Sequence, residues 1–261
     1  MKKGKKLYEG KAKIIYATQD KNLVIQYFKD DATAFNNQKK TTIEGKGVLN
    51  NRISEHILSN LSEIGIKNHL VKRLNMREQL VKLVDIIPIE FVVRNIATGS
   101  LTKRLGIEDG TVLERPLIEY CLKDDKLGDP IISREHILTF NWLNVIQLDW
   151  IDENISRLND FLLGMFRAVG IKLVDFKVEF GLTHESGKTQ IVLADEISPD
   201  TCRLWDVKTE KKLDKDRFRK DLGNIIQAYQ EVARRLGIIH EEANISEVKF
   251  GKPKAVNIKK K

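Results

Sequence analysis

The amino-acid sequence predicts an α+β fold in two lobes: a small β-rich lobe over residues 1–85 and a larger α+β lobe over residues 86–240. Three observations predict it. Short runs of β-branched and aromatic residues crowd the first third of the chain. Beyond Asp85, two long helical patterns are interleaved with strand patterns. The 261 residues are 41% hydrophobic, enough for a sizeable core, with no internal repeat and no low-complexity linker between the two regions.

Each element has its own signal. Leu7–Ala17 and Leu23–Phe28 read as strands around the polar turn Thr18–Asn22. Val48, Leu49, Ile53, Ile57, Leu58 and Leu61 recur at helical spacing, predicting a helix over Gly47–Ile64 that stops at Gly65. His69–Leu74 and Gln79–Val84 predict a hairpin, and Ile86–Asn95 a further strand. A long helix is expected over Asn144–Val169. Strands near Ile171–Gly181 and Gln190–Ile197 flank the turn signal His184–Lys188. A last helix is expected from Asp214 to Leu236, ending at Gly237.

Composition narrows the function classes. The net charge of +8 suggests a nucleic-acid binder, but its distribution does not. Residues 1–6 carry four lysines and residues 248–261 carry six, with no acid in either segment. Without those ten, 35 basic residues face 37 acidic ones, so the body is near neutral and the basic excess lies in the ends, including a basic extension over residues 241–261. No apolar run is long enough to span a bilayer, and the basic start is followed by Tyr8-Glu-Gly-Lys11 rather than by an apolar stretch. A cytoplasmic protein with no membrane and no nucleic-acid partner is expected. Cys121 and Cys202 are far apart and read as reduced thiols; the five histidines form no metal-binding spacing.

Four segments could carry chemistry. In Leu173–Gly181, strand alternation puts Asp175, Lys177 and Glu179 on one face and Phe176, Val178 and Phe180 on the other. The next strand, Ile191–Glu196, ends in two acids after an apolar run, so these acids need a partner or a hard cation such as magnesium. A structural ion-pair cluster accounts for the same pattern equally well. In Tyr8–Lys13, Lys11 and Lys13 are expected to share a strand face just after Gly10, where ammoniums can neutralise phosphates; surface lysines on an edge strand are the plainer reading. In Ile86–Ser100, Glu90 and Arg94 share a face ahead of the turn Thr98-Gly-Ser100, which suits either an anion cradle or an ordinary ion pair and loop. Ile197–Asp206 contains a Pro199-Asp200 turn followed by Arg203, and Asp214 is a candidate cap for a helix carrying Lys215 and Arg219 one turn apart.

Taken in order, these segments resemble the SAICAR synthetase family, the phosphoribosylaminoimidazole-succinocarboxamide synthases. Ile86–Ser100 and the Asp-x-Lys-x-Glu-Phe-Gly core of Leu173–Gly181 are the most specific. Tyr8–Lys13, Gly45–Asn51, Ser100–Gly106 and Asp195–Asp200 follow the same pattern, and the likeness runs from about Leu7 to Leu236. The resemblance implies a SAICAR synthetase-like fold distantly similar to protein kinases and ATP-grasp proteins, with ATP in a cleft between the lobes. It implies a ligase that joins L-aspartate to the carboxylate of carboxyaminoimidazole ribotide (CAIR) through an acyl phosphate, yielding SAICAR, ADP and phosphate.

By motif position it implies roles. Gly10, Lys11, Ala12 and Lys13 would hold ATP phosphates, and backbone groups near Lys82–Val84 would hold adenine. Glu179 and Asp195 would bind Mg2+. Lys177 would bridge the phosphoryl group or the substrate carboxylate, with Asp175 orienting a substrate. Arg94, Ser100 and Arg203, with Lys215 and Arg219, would bind the ribotide's phosphate or carboxylates, and Glu90 would hold the aminoimidazole or a nearby cation. A homodimer is expected on the same ground.

Overall fold

A computed structural model describes residues 2–34, 39–185 and 187–239. The basic extension lies outside the described residues.

The chain starts with five strands, β1 (Lys6–Glu9), β2 (Lys13–Ala17), β3 (Leu23–Phe28), β4 (Asp31–Ala34) and β5 (Lys39–Thr42). Helix α1 (Lys46–Glu63) follows, then β6 (Leu70–Arg73) and β7 (Glu78–Lys82). The next stretch holds β8 (Asp85–Ile96), α2 (Ser100–Leu105), β9 (Val112–Leu122), β10 (Ile131–Ile132), α3 (Arg134–Thr139) and α4 (Val145–Ala168). The described chain closes with β11 (Ile171–Glu185), β12 (Lys188–Ala194), β13 (Cys202–Asp206), α5 (Asp216–Arg219) and α6 (Ile225–Arg235).

Two antiparallel sheets organise these elements. The first has the order β1-β2-β3-β7-β6; the second has the order β10-β9-β8-β11-β12, with β13 also paired to β11. β4 and β5 form a separate hairpin. The first sheet uses residues before Asp85 and the second uses residues from Asp85 onward, but the apolar core is continuous across them. Ile53, Ile57 and Leu61 of α1 pack in one cluster with Phe91 of β8, Leu158 of α4, Phe176 and Val178 of β11, and Val232 of α6. The sheets are also stitched directly: His69 N donates to Leu193 O at 2.9 Å, and Leu193 N donates to Lys67 O at 3.0 Å.

Helix α4 matches its sequence signal. Asn144 caps it, exchanging hydrogen bonds with Gln147 in a capping box, and its apolar face (Leu148, Ile151, Ile155, Leu158, Leu162) is buried. Gly181 marks the junction of the sheets. A Cβ there would fall 2.9 Å from the Val84 Cβ, so only glycine lets the connection between the sheets cross over β11.

Three expectations need correction. Residues 7–17 are not one strand: Gly10 N bonds Lys13 O at 2.9 Å, closing a tight turn between β1 and β2. Lys11 therefore lies in the turn and Lys13 in β2, so the two do not share a strand face. The helix expected from Asp214 to Leu236 is two helices, because Asp221 and Asn224 adopt left-handed conformations (φ 54° and 50°) that a helix cannot hold. Asp214 caps α5 from one residue further out than expected: Lys215 immediately precedes the helix, and Asp214 accepts from Asp216 N at 2.7 Å and from Leu204 N at 2.8 Å.

Candidate active site

The polar face of the second sheet is a charged grid. β11 is fifteen residues long and has β8 on one side; β13 and then β12 take turns on the other. Between them Lys177 N reaches Thr201 O at 2.8 Å, so the segment from Asp195 to Thr201 fills the fork. Register sets the rows. Cys121, Glu90, Glu179 and Ala194 align, then Glu119, Val92 and Lys177, then Leu117, Arg94, Asp175 and Arg203. Phe176, Val178 and Phe180 point the other way into the core, as alternation predicts.

The charges pair within rows and between neighbouring rows. Lys177 Nζ donates to Glu90 Oε1 at 2.6 Å and to Glu179 Oε1 at 3.1 Å. Lys123, from the end of β9, also pairs with Glu179. Burial disfavours a charged Lys177, but Glu179, Glu90 and Asp195 outweigh it and hold its pKa above the ordinary lysine range. In the last row, Arg203 Nη1 donates to Asp175 Oδ2 at 2.6 Å and Arg94 Nη1 to the same oxygen at 3.1 Å. Arg94 Nη2 reaches Ser100 Oγ at 3.0 Å. The guanidinium of Arg203 lies against the Thr98-Gly-Ser100 turn: a Cβ on Gly99, which has φ 64°, would sit 2.9 Å from its Nη2. That contact explains why the turn carries glycine.

Above the fork, Lys13 of β2 pairs with Asp195 and reaches Glu196 Oε1 at 3.0 Å, so a strand of the first sheet places its ammonium on the acids at the end of β12. Burial works against Asp195, yet Lys13 and Lys177 outweigh it and hold the carboxyl well below the usual carboxylate range. Asp195 itself has φ 62°, a strained conformation for a non-glycine residue. His69 is buried beside it; burial pushes that imidazole down to about 4, so it is neutral at pH 7.

The structure thus sets two bonded clusters side by side on one sheet face, Glu90–Lys177–Glu179 and Arg94–Asp175–Arg203 with Ser100, with Lys13 and Asp195 beside the first. Lys215 and Arg219 connect through acids: Lys215 is 3.9 Å from Asp200, and Arg219 donates to Asp216 Oδ1 at 2.7 Å. Gly10 and Ala12 belong to the β1–β2 turn, where Ala12 O accepts from Lys29 N. Lys11 lies at the margin, 2.6 Å from Asp125, and Lys82 is 3.1 Å from Glu185, with Val84 packed over Gly181.

Several charged residues escaped the sequence reading. Glu119 and Lys123 lie on β9 and just after it, a strand not anticipated because its exposed residues break the apolar alternation. Lys46, buried at 1% exposure, holds Asp200 at 2.5 Å, and Tyr229 donates to the other Asp200 oxygen at 2.6 Å. Only the unusual placing of Lys46 just before the apolar stripe of α1 could have signalled that role.

The carboxylate set suits one kind of cation. Among the described residues no group of three or more His, Cys, Asp or Glu side chains converges on a point. Glu179 bonds the Lys177 ammonium and Asp195 interacts with the same charge, so the two acids flank one lysine and offer hard oxygen donors. Such a pair fits magnesium that draws its remaining ligands from phosphates and water, not an all-protein cage.

The chain matches the sequence profile of SAICAR synthetase over residues 6–236. It is 74% identical to the phosphoribosylaminoimidazole-succinocarboxamide synthase of Pelagibacter ubique over 260 residues, covering 100% of both chains. The chain belongs to the SAICAR synthetase family. The enzyme of that name from Sphingopyxis alaskensis is 61% identical over 92% of this chain and 93% of its own. Among solved structures, the phosphoribosylaminoimidazole-succinocarboxamide synthase of Ehrlichia chaffeensis superposes with a TM-score of 0.89 at 53% identity, covering 91% of this chain and all of the other. A type-2 SAICAR synthetase in complex with ADP superposes with a TM-score of 0.85 at 42% identity, over 90% and 99% of the two chains. The α+β architecture is therefore the SAICAR synthetase fold. No helix among the described residues is long and apolar enough to cross a membrane.

Proposed function

We propose that this chain is the ATP-dependent ligase of purine biosynthesis that joins L-aspartate to the carboxylate of CAIR, giving SAICAR, ADP and phosphate. Family membership over nearly the whole chain carries the reaction, and the charged grid supplies a means for it. The ADP bound by the 42% identical relative supports nucleotide use here.

A carboxylate is a poor electrophile, because its charge repels a nucleophile and oxide is a poor leaving group. Phosphoryl transfer to it makes an acyl phosphate, which the aspartate amine can attack with loss of phosphate. Two anions must first be brought together, so the protein's main task is neutralisation and alignment. Lys177 is our choice for the group between phosphoryl donor and acceptor carboxylate: it is cationic, anchored by Glu90 and Glu179, and still about one-third exposed. Asp175 would orient substrate through the two arginines it holds.

Lys13, with Gly10, Lys11 and Ala12 of the β1–β2 turn, would face the ATP phosphates, and the Lys82–Val84 backbone the adenine. Glu179 and Asp195 would hold Mg2+, which when bound would offset phosphate charge. Glu90 would lie near the aminoimidazole. Arg94, Ser100 and Arg203 would form the ribotide's anion pocket, with Lys215 and Arg219 at its rim. We assign the nucleotide-binding lobe to residues 1–85 and the substrate lobe to 86–240, and infer a cytoplasmic homodimer.

The test is ADP release. It should require CAIR and L-aspartate together; ADP formed at the full rate with CAIR alone would point instead to a small-molecule kinase of related fold.

A further inference from the structure

The geometry points to Glu119 as a positioning residue that sets the ribotide pocket without touching substrate. The inference rests on the reading of Arg94, Ser100 and Arg203 as that pocket. Glu119 is only 9% exposed, yet it carries a charge, and both of its oxygens are taken by arginines. Oε2 accepts from Arg94 Nε at 2.6 Å, and Oε1 pairs with Arg104 of α2.

The consequence for Arg94 is specific. Its Nε is held by Glu119, its Nη1 by Asp175 and its Nη2 by Ser100. A guanidinium is planar, so fixing Nε and Nη1 fixes the direction of Nη2. Ser100 opens α2, and Arg104 lies four residues later on the same face of that short helix. Glu119 thus ties the strand that carries Arg94 to the helix that carries Ser100. Arg104 is 38% exposed at its side chain and keeps nitrogens beyond the Glu119 contact, so it is held where it can face an incoming anion.

Charge and position make opposite demands here. Around the turn, Arg94, Arg104 and Arg203 face Glu119 and Asp175, and Arg203 also pairs with Asp216. Replacing Glu119 by glutamine makes this cluster more positive by one charge. If only charge mattered, the variant would bind the ribotide more tightly. If Glu119 acts by aiming guanidiniums, binding weakens despite the added positive charge.

Steady-state kinetics of Glu119→Gln and Glu119→Asp, with Ser100→Ala and Arg203→Met alongside, decide between these. Glu119→Asp keeps the charge and shortens the reach by one methylene, and it carries the same test should the glutamine variant fold poorly. The expected result is a rise of roughly tenfold or more in the KM for CAIR in both Glu119 variants, with kcat and the KM for ATP close to those of the parent. A KM for CAIR that is unchanged or lower in the Glu119 variants, while Ser100→Ala and Arg203→Met raise it, overturns the role of Glu119. No change in any of the four variants overturns the pocket itself.

Discussion

Glu90 and Glu179 face each other directly across β8 and β11, and a single ammonium, that of Lys177, bonds both. Like charges at directly opposed positions destabilise a sheet. Lys177 therefore does two things: it permits the acids to coexist, and it presents a fixed, partly exposed positive charge. Lys177→Met should reduce product formation by about a thousandfold or more, since it removes a preorganised charge from the phosphoryl path proposed above. The pairing predicts a lowered melting temperature as well, partly restored by adding Glu90→Gln, which removes the repulsion but not the catalytic defect. Turnover near that of the parent in Lys177→Met would remove this residue from the mechanism.

Arg94 is enclosed by Glu119, Asp175 and Ser100. A lysine there supplies one point charge in place of a fork and cannot hold all three. Arg94→Lys should raise the KM for CAIR more than the KM for ATP. It should also cost stability, up to the roughly 3–5 kcal/mol seen when a buried ionic partner is removed, because two buried carboxylates lose a donor. Chemical denaturation together with KM measurements checks both effects; unchanged values of each would show that the enclosure carries no energy.

Much of this site was legible because strand alternation is strict. Asp175, Lys177 and Glu179 share a face in the sequence pattern and in the structure, as do Glu90 and Arg94. Long helices such as α4 were legible from their periodicity and cap. Other features depended on tertiary partners. Nothing local distinguishes the Lys11–Lys13 turn from a continuous strand; the difference is made by the hydrogen bond between Gly10 and Lys13 and by the acids of β12 that draw in Lys13. The break between α5 and α6 rests on left-handed Asp221 and Asn224, residues that also occur inside helices. Glu119 and Lys123 find their roles only when β9 is laid beside β8, a pairing that no sequence spacing encodes.

Asp214 gives the fold a pH signature. It is fully buried, and burial, reinforced by nearby Asp216, pushes its carboxyl up to about 7. The folded chain thus keeps a proton that the unfolded chain releases near pH 4. The contribution to stability is complete below pH 4 and is lost as the pH rises through 7, a change of roughly 4 kcal/mol for a shift of this size. Asp214→Asn should remove this component, so its unfolding free energy relative to the parent should grow between pH 4.5 and 7.5. Urea midpoints across that range provide the measurement. Parallel pH profiles for the two proteins would mean that Asp214 is ionised throughout.

Removing divalent cations should separate activity from stability. The acids assigned to Mg2+ do not depend on it for neutralisation. Glu179 is paired with Lys177 and Lys123, and Asp195 with Lys13, whose own pKa Asp195 and Glu196 raise against the effect of burial. Buried carboxylates left bare would be costly, but these have cationic partners from two different sheets. Chelation should therefore abolish ADP formation while moving the melting temperature by less than about 2 °C, which for a chain of this size corresponds to under about 1 kcal/mol. In Lys13→Met the same treatment should lower the melting temperature further, because Asp195 would have lost its bonded ammonium and would lean more on the cation. A large loss of stability on chelating the parent protein would mean that the lysines do not balance the acids, and that the cation is part of the fold rather than a companion of the nucleotide.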